Sequence, residues 1–180
     1  MRRSLIAAVA AGVLSVGVVA AGGWYYGVRH GDGPLGESGL GNQLCLPVGE
    51  AKDVTVGYVR IDNNGSSPVT ITGVSLIGAR GVEDAGALLL PEQLREKSNT
   101  KAGWAYGNGP WDREAGQPNL AVDATVPAKS KGRALVVHLQ RGDVLGEGYL
   151  TGVRVEYRAG LRRYAYEVGP ETTLRPGKCF

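Results

Sequence analysis

The chain is short of the side chains that do metal and nucleophile chemistry: its 180 residues hold two histidines, two cysteines and a single methionine. Bound copper or zinc calls for clustered imidazole, thiolate or carboxylate ligands. His30 and His138 stand far apart in the sequence, so no metal ligand and no cofactor is assigned. A Gly-x-Ser-x-Gly elbow is missing, as is a Ser-x-x-Lys at the head of a helix, so neither common setting for an activated serine is in place. Net charge is missing from most of the chain as well. The formal charge is +3, and Arg2, Arg3 and Arg29 account for all of it, since the first thirty residues contain no acid. Taking those three from the twenty basic residues leaves seventeen to balance the seventeen acids. A neutral domain has no long-range field to draw nucleic acid, and no such partner is expected.

Charge is absent altogether across residues 5–26, which are rich in Ala, Val and Gly and end in Trp24-Tyr25-Tyr26. A helix of that length rises about 33 Å, enough for a hydrocarbon core of roughly 30 Å. The aromatic triplet falls where an interfacial belt belongs, and Arg2 and Arg3 set a cytoplasmic N-terminus. The expected organisation is a cytoplasmic stretch at 1–4, a retained transmembrane signal-anchor at 5–26, a glycine-rich flexible linker at 27–43 and an extracytoplasmic domain at 44–180, with the lipid bilayer as the anchor's partner. The alternative is a cleaved signal peptide with its small-residue site near Ala21 and a secreted product.

With phenylalanine reduced to one residue, the domain draws on Val, Thr and Tyr, and its turns on 29 glycines and 9 prolines. That composition predicts short strands joined by tight turns. Val54, Val56 and Tyr58 alternate, and Val59 and Ile61 then switch parity, which predicts a bulge near Gly57 or Tyr58. Val69 and Ile71, then Val74 and Leu76 across a shift at Gly73, make a second strand. The turn formers at 62–68 between them predict a hairpin. Residues 79–90 read as a third strand or looser pair, 91–97 as a short helix, and 98–119 as a long loop. Leu135, Val137 and Leu139 share one face of a further strand. Val153, Val155 and Tyr157 alternate up to Ala159-Gly160, and Tyr164, Tyr166 and Val168 return. Centred on Ala159-Gly160, that hairpin sets Glu156 opposite Arg163 and Val155 opposite Tyr164. Cys45 and Cys179 bracket the domain, and outside the membrane a disulfide between them is expected. The whole predicts a mainly β fold, an antiparallel two-sheet sandwich of about seven strands.

Residues 54–76, V-T-V-G-Y-V-R-I-D-N-N-G-S-S-P-V-T-I-T-G-V-S-L, resemble the extended strand, Asn-Gly turn and second strand of immunoglobulin-like sandwich domains in bacterial envelope proteins. With the anchor and the bracketing cysteines, the chain is similar to small membrane-anchored envelope proteins of actinobacteria. The resemblance implies an immunoglobulin-like fold and an envelope setting, and it carries over no functional residue.

Four constellations remain. Trp104, Tyr106 and Trp111, on the glycine-rich loop, offer a stacking platform for a sugar ring or a peptide, which fits another envelope protein or a cell-wall glycan as partner. His138 with Asp123 or Asp143 is the raw material of a hydrolase, although such trios arise by chance in any chain this long. Arg141-Gly142-Asp143 spells an adhesion tripeptide but is ordinary turn chemistry. Arg154, Arg158, Arg162 and Arg163 crowd one hairpin, where Glu156 and Glu167 interleave to make a solvated, paired face. The resulting expectation is a non-catalytic, membrane-tethered binding module; the alternatives are an envelope hydrolase using His138 and an accessory subunit of a membrane complex.

Overall fold

The computed structural model describes residues 27–38, 43–90, 105–107 and 121–179. The anchor segment 5–26, the helix expected at 91–97, and Trp104 and Trp111 lie outside the described residues. No helix among those described is long and apolar enough to cross a membrane.

The described residues are mainly β. Thirteen strands run in chain order: β1 (Val28–His30), β2 (Leu35–Ser38), β3 (Gln43–Pro47), β4 (Asp53–Asn63), β5 (Val69–Ile77), β6 (Val82–Leu90), β7 (Ala105–Gly107), β8 (Thr125–Val126), β9 (Arg133–Arg141), β10 (Gly148–Leu150), β11 (Gly152–Ala159), β12 (Arg162–Val168) and β13 (Glu171–Arg175). A first sheet has the order β1-β12-β11-β5-β8. A second has β2-β4-β9-β6, with β7 also pairing β4, and a small third sheet has β10-β13-β3. Most pairs are antiparallel; β1 with β12 and β3 with β13 run parallel.

Alternation builds the core. Val54, Val56 and Ile61 of β4, Leu135, Val137 and Leu139 of β9, and Ala87 and Leu89 of β6 turn inward from the second sheet. From the first sheet Val69, Ile71, Val153, Val155, Tyr157 and Tyr164 meet them. Each fully buried aliphatic side chain contributes roughly 1.5–3 kcal/mol, so this shared layer is what holds the sheets face to face. On the opposite face of the second sheet Val136 forms a second, smaller apolar cluster with Leu88 and Leu90.

The bulge expected near Gly57 or Tyr58 is present, as a register shift between Gly57 and Val59, and a second shift falls opposite Gly73. The hairpin expected from β4 and β5 is not formed, because the two strands belong to different sheets. Asn63 explains the corner. It is buried, its amide donates to the carbonyls of Ser67 and Val126 at 3.0 and 3.1 Å, and its Oδ1 accepts from Gly65 N at 2.9 Å. Those bonds route the chain across the gap between the sheets.

The stretch expected as linker also differs. β1 joins the edge of the first sheet and β2 the edge of the second, with Leu35 buried in the core. A few backbone hydrogen bonds suffice for such short edge strands, so glycine content alone does not reveal them. The β11–β12 hairpin forms, but in a register two residues from the expected one: Arg158 faces Arg163, Tyr157 faces Tyr164, and Arg154 faces Glu167. The turn decides this. Gly160 has φ +59°, suited to the first central position of a two-residue turn, so Gly160-Leu161 becomes its centre.

Cys45 and Cys179 are bonded, closing a separation of 134 residues beside the parallel β3–β13 ladder. Tyr157 stacks on Tyr164 at 5.3 Å and meets Tyr166 edge-on at 6.0 Å. A Cβ at Gly33 would fall 1.7 Å from the Tyr157 hydroxyl, so only glycine lets the chain pass there. Burial raises the Tyr157 phenol above its ordinary 10.0, a hydrogen bond from the Leu35 backbone partly offsets this, and Tyr164 adds to the rise. The unfolded chain loses this proton at the ordinary value while the folded domain keeps it. The group's contribution to stability is therefore whole below that pH and drains away as pH climbs past it towards the folded value. Tyr157→Phe is expected to flatten this alkaline loss, read as urea midpoints between about pH 9 and about pH 11; identical slopes in variant and parent would refute the assignment.

Candidate functional site

The outer face of the second sheet gathers the chemistry-bearing residues into rungs. On one rung, position 106 of β7 pairs with Thr55 of β4, Thr55 with His138 of β9, and His138 with Gly86 of β6. Thr55 is buried, and its hydroxyl lies 2.9 Å from Nδ1 of the half-buried His138. The bond forms with either tautomer, the hydroxyl donating to a bare Nδ1 or accepting from Nδ1–H, and both hold the ring in one orientation. Gly86 leaves the far flank of the imidazole bare. It sits on a bulge with φ +122°, its N–H donates to Asp84 Oδ1 at 2.8 Å, and a Cβ there would meet nothing within 4 Å.

The neighbouring rungs differ in character. On one side Asp53, Gln140 and Glu83 pair across the strands, all exposed, with Gln140 Nε2 3.4 Å from Asp53 Oδ1. On the other side are Gly57, Val136 and Leu88, the last two in the outer apolar cluster. A rung lies about 6.8 Å from the next along a strand. The face thus grades from acid and amide, through hydroxyl and imidazole, to hydrocarbon. It can offer hydrogen bonds and apolar contact to one ligand within a short span.

The structure separates the members of the sequence-derived trio. Among the described residues no carboxylate lies within ion-pair distance of His138. Asp143 accepts instead from Leu145 N at 2.9 Å within its own loop. Asp123 occupies a left-handed turn, φ 68°, whose N–H donates to Ile71 of the other sheet. No three His, Cys, Asp or Glu residues among those described form a metal-holding group. The adhesion tripeptide is dismantled by burial: Arg141 has no exposed surface and spends its guanidinium on four backbone carbonyls.

Of the aromatic candidates, Tyr106 has its backbone in β7, on the rung of Thr55 and His138, while Trp104 and Trp111 are outside the described residues. Of the two rival sequence readings, the backbone of Tyr106 from one and His138 from the other therefore share one rung of one sheet. Thr55 and Gly86 were not legible as site residues. Alternation put Thr55 on the face opposite Val54 and Val56, but its partner is 83 positions away and only register finds it.

No known family matches the chain, and no curated protein does. Among solved structures it is similar to the ASH / PapD-like domain of human CEP192 (PapD-like domain 7), with 8% identity over 82% of this chain and 87% of that one and a TM-score of 0.37. A likeness of that degree carries no argument about role.

Proposed function

We propose that the chain is a non-catalytic binding module on an immunoglobulin-like frame, tethered outside the cytoplasmic membrane by residues 5–26. The strand order supports the frame. β2-β4-β9-β6 opposes β12-β11-β5, which matches the A-B-E-D and G-F-C sheets of an immunoglobulin sandwich. Those are seven strands, the number expected, and the other six are additions of two to five residues. The Cys45–Cys179 bond supports an oxidising compartment, and the uncharged segment 5–26 supports the tether.

The observation that carries the binding reading is the Thr55–His138 rung. Its imidazole is oriented by a neutral hydroxyl, and it lies between a polar rung and an apolar one beside a bare glycine. Sugars and peptide edges present that same mixture of hydroxyl or amide groups and apolar surface. The aromatics at 104, 106 and 111, which share one loop of the sequence, would stack on the same ligand. The partner is another envelope protein or a cell-wall glycan.

The test is photo-crosslinking of the intact protein in membranes, with the probe at Gln140 on this face and, as control, at Ser75 on the outer face of the first sheet. One partner or glycan fragment is expected from position 140 alone, with yield falling about tenfold when Thr55→Val and His138→Ala remove two hydrogen-bonding groups. Crosslinks from position 75 in place of 140, or a yield indifferent to both substitutions, would move the binding site elsewhere.

A further inference from the structure

The β11–β12 hairpin ends in a basic patch with a leucine at its tip. Arg158, Arg162 and Arg163 are exposed, and Leu161 at the turn is 73% exposed. Arg158 and Arg163 are cross-strand neighbours, a like-charge pairing that disfavours the hairpin unless an anion lies over it. Among the described residues none of the three arginines pairs with a carboxylate, whereas Arg154, further down the same hairpin, holds Glu167 at 2.7 Å. Following the rung of Arg158 and Arg163 across the sheet gives Val28, Arg163, Arg158, Thr70 and Thr125, with no acid, while Arg162 pairs with Ala159 at the turn. Glu156 comes only on the next rung, away from the tip.

The path of the chain says what this patch meets. β1 runs parallel to β12, and Val28 stands opposite Arg163 near the first residue of that strand. The chain therefore reaches β1 from the side of the tip. Only Gly27 separates Val28 from the aromatic triplet that closes the uncharged segment, and two residues of extended chain span at most about 7 Å. Because β1 and β2 occupy the stretch once read as a spacer, nothing holds the domain away from the point where its tether emerges.

We propose that the hairpin tip is a foot that rests on the membrane surface, with Arg158, Arg162 and Arg163 binding anionic lipid headgroups and Leu161 entering the interfacial layer. The proposal rests on the reading of residues 5–26 as a membrane anchor. Basic groups within a Debye length of an anionic surface bind it additively, each gaining on the order of fivefold. An exposed leucine between them adds the apolar insertion that amphipathic surface binders use. The foot fixes the domain's tilt. It points the start of β12 at the bilayer and leaves the outer face of the second sheet turned sideways, open to a partner.

The test uses the full-length chain reconstituted in vesicles of phosphatidylcholine, alone or mixed with phosphatidylglycerol. An environment-sensitive fluorophore is placed on a cysteine introduced as Leu161→Cys or, as control, Leu145→Cys. Leu145 is also exposed but lies ahead of β10, on the far side of β11 from the tip; the native cysteines are bonded to each other. Acrylamide, being uncharged, reports water access without sensing surface potential. The label at 161 is expected to shift to the blue and to resist quenching several-fold in anionic vesicles, while the label at 145 stays open to water. Arg158→Gln, Arg162→Gln and Arg163→Gln together should weaken tip binding on the order of 100-fold and return label 161 to water, and lysine at the three positions should retain it. Vesicle flotation separates the two ways of failing. A chain that does not float removes the anchor and the foot together. A chain that floats with label 161 as exposed as label 145, or protected regardless of the arginines, overturns the foot alone.

Discussion

Replacing Arg141 with alanine is expected to destabilise the domain by about 3–5 kcal/mol, lowering its melting temperature by roughly 10 °C at this chain length. The side chain has no exposed surface, and its guanidinium ties two loops together. Nη1 donates to Gly49 O at 2.8 Å and Ala51 O at 3.1 Å, in the loop between β3 and β4. Nη2 donates to Val144 O at 2.6 Å and Gly146 O at 2.7 Å, in the loop between β9 and β10. Each charge-assisted bond contributes about 1.5–3 kcal/mol net, but water entering the vacated space would re-satisfy part of the carbonyl set, so the sum is not the cost. Lysine is the sharper comparison. Its ammonium is a single point with three donors, unable to span four carbonyls on two loops, so Arg141→Lys should recover less than half of the loss. Calorimetric melting of parent and both variants measures this. A drop of under about 1 kcal/mol for the alanine variant would mean that the loops are held by other contacts.

Removing the disulfide ranks with it. Cys45→Ser with Cys179→Ser is expected to cost about 5 kcal/mol in the chain-entropy account, because the bond closes a loop of more than a hundred residues in the unfolded chain. The five-residue parallel ladder of β13 with β3 would remain in the folded state. Its parallel geometry pairs slightly less tightly than antiparallel strands do. Urea unfolding with and without the bond distinguishes the mechanisms. If the effect lies in the unfolded ensemble, opening the ring enlarges that ensemble and m rises as the midpoint falls. A lower midpoint at constant m would place the effect in the native state instead.

Much of the frame was legible from alternation alone, and its failures share one cause. Alternation fixes which face a residue takes, and a slip of two residues preserves every face. The β11–β12 hairpin was therefore assigned correctly to its strands and faces yet paired two residues out, with Glu156 against Arg163 where Arg158 now stands. Only the left-handed Gly160 breaks the tie. Likewise β4 and β5 were each readable as strands, but nothing in their periodicity says that Asn63 turns the chain from one sheet to the other. The candidate site fared in the same way: Tyr106 and His138 were visible as chemistry, whereas the rung that relates them through Thr55 is a matter of long-range register.

The Cys45–Cys179 bond also has a mechanical consequence. Tension arriving from the N-terminal side can draw out β1, β2 and the residues up to Cys45, about 60 Å of chain at full extension. At Cys45 the covalent path divides, one arm running forward into β4 and the other back from Cys179 through β13 and β12. Any load between the N-terminal side and the outer face of β4 and β9 is shared by two routes. The strands that carry the Thr55–His138 rung therefore lie inside a closed ring and bear only part of the pull.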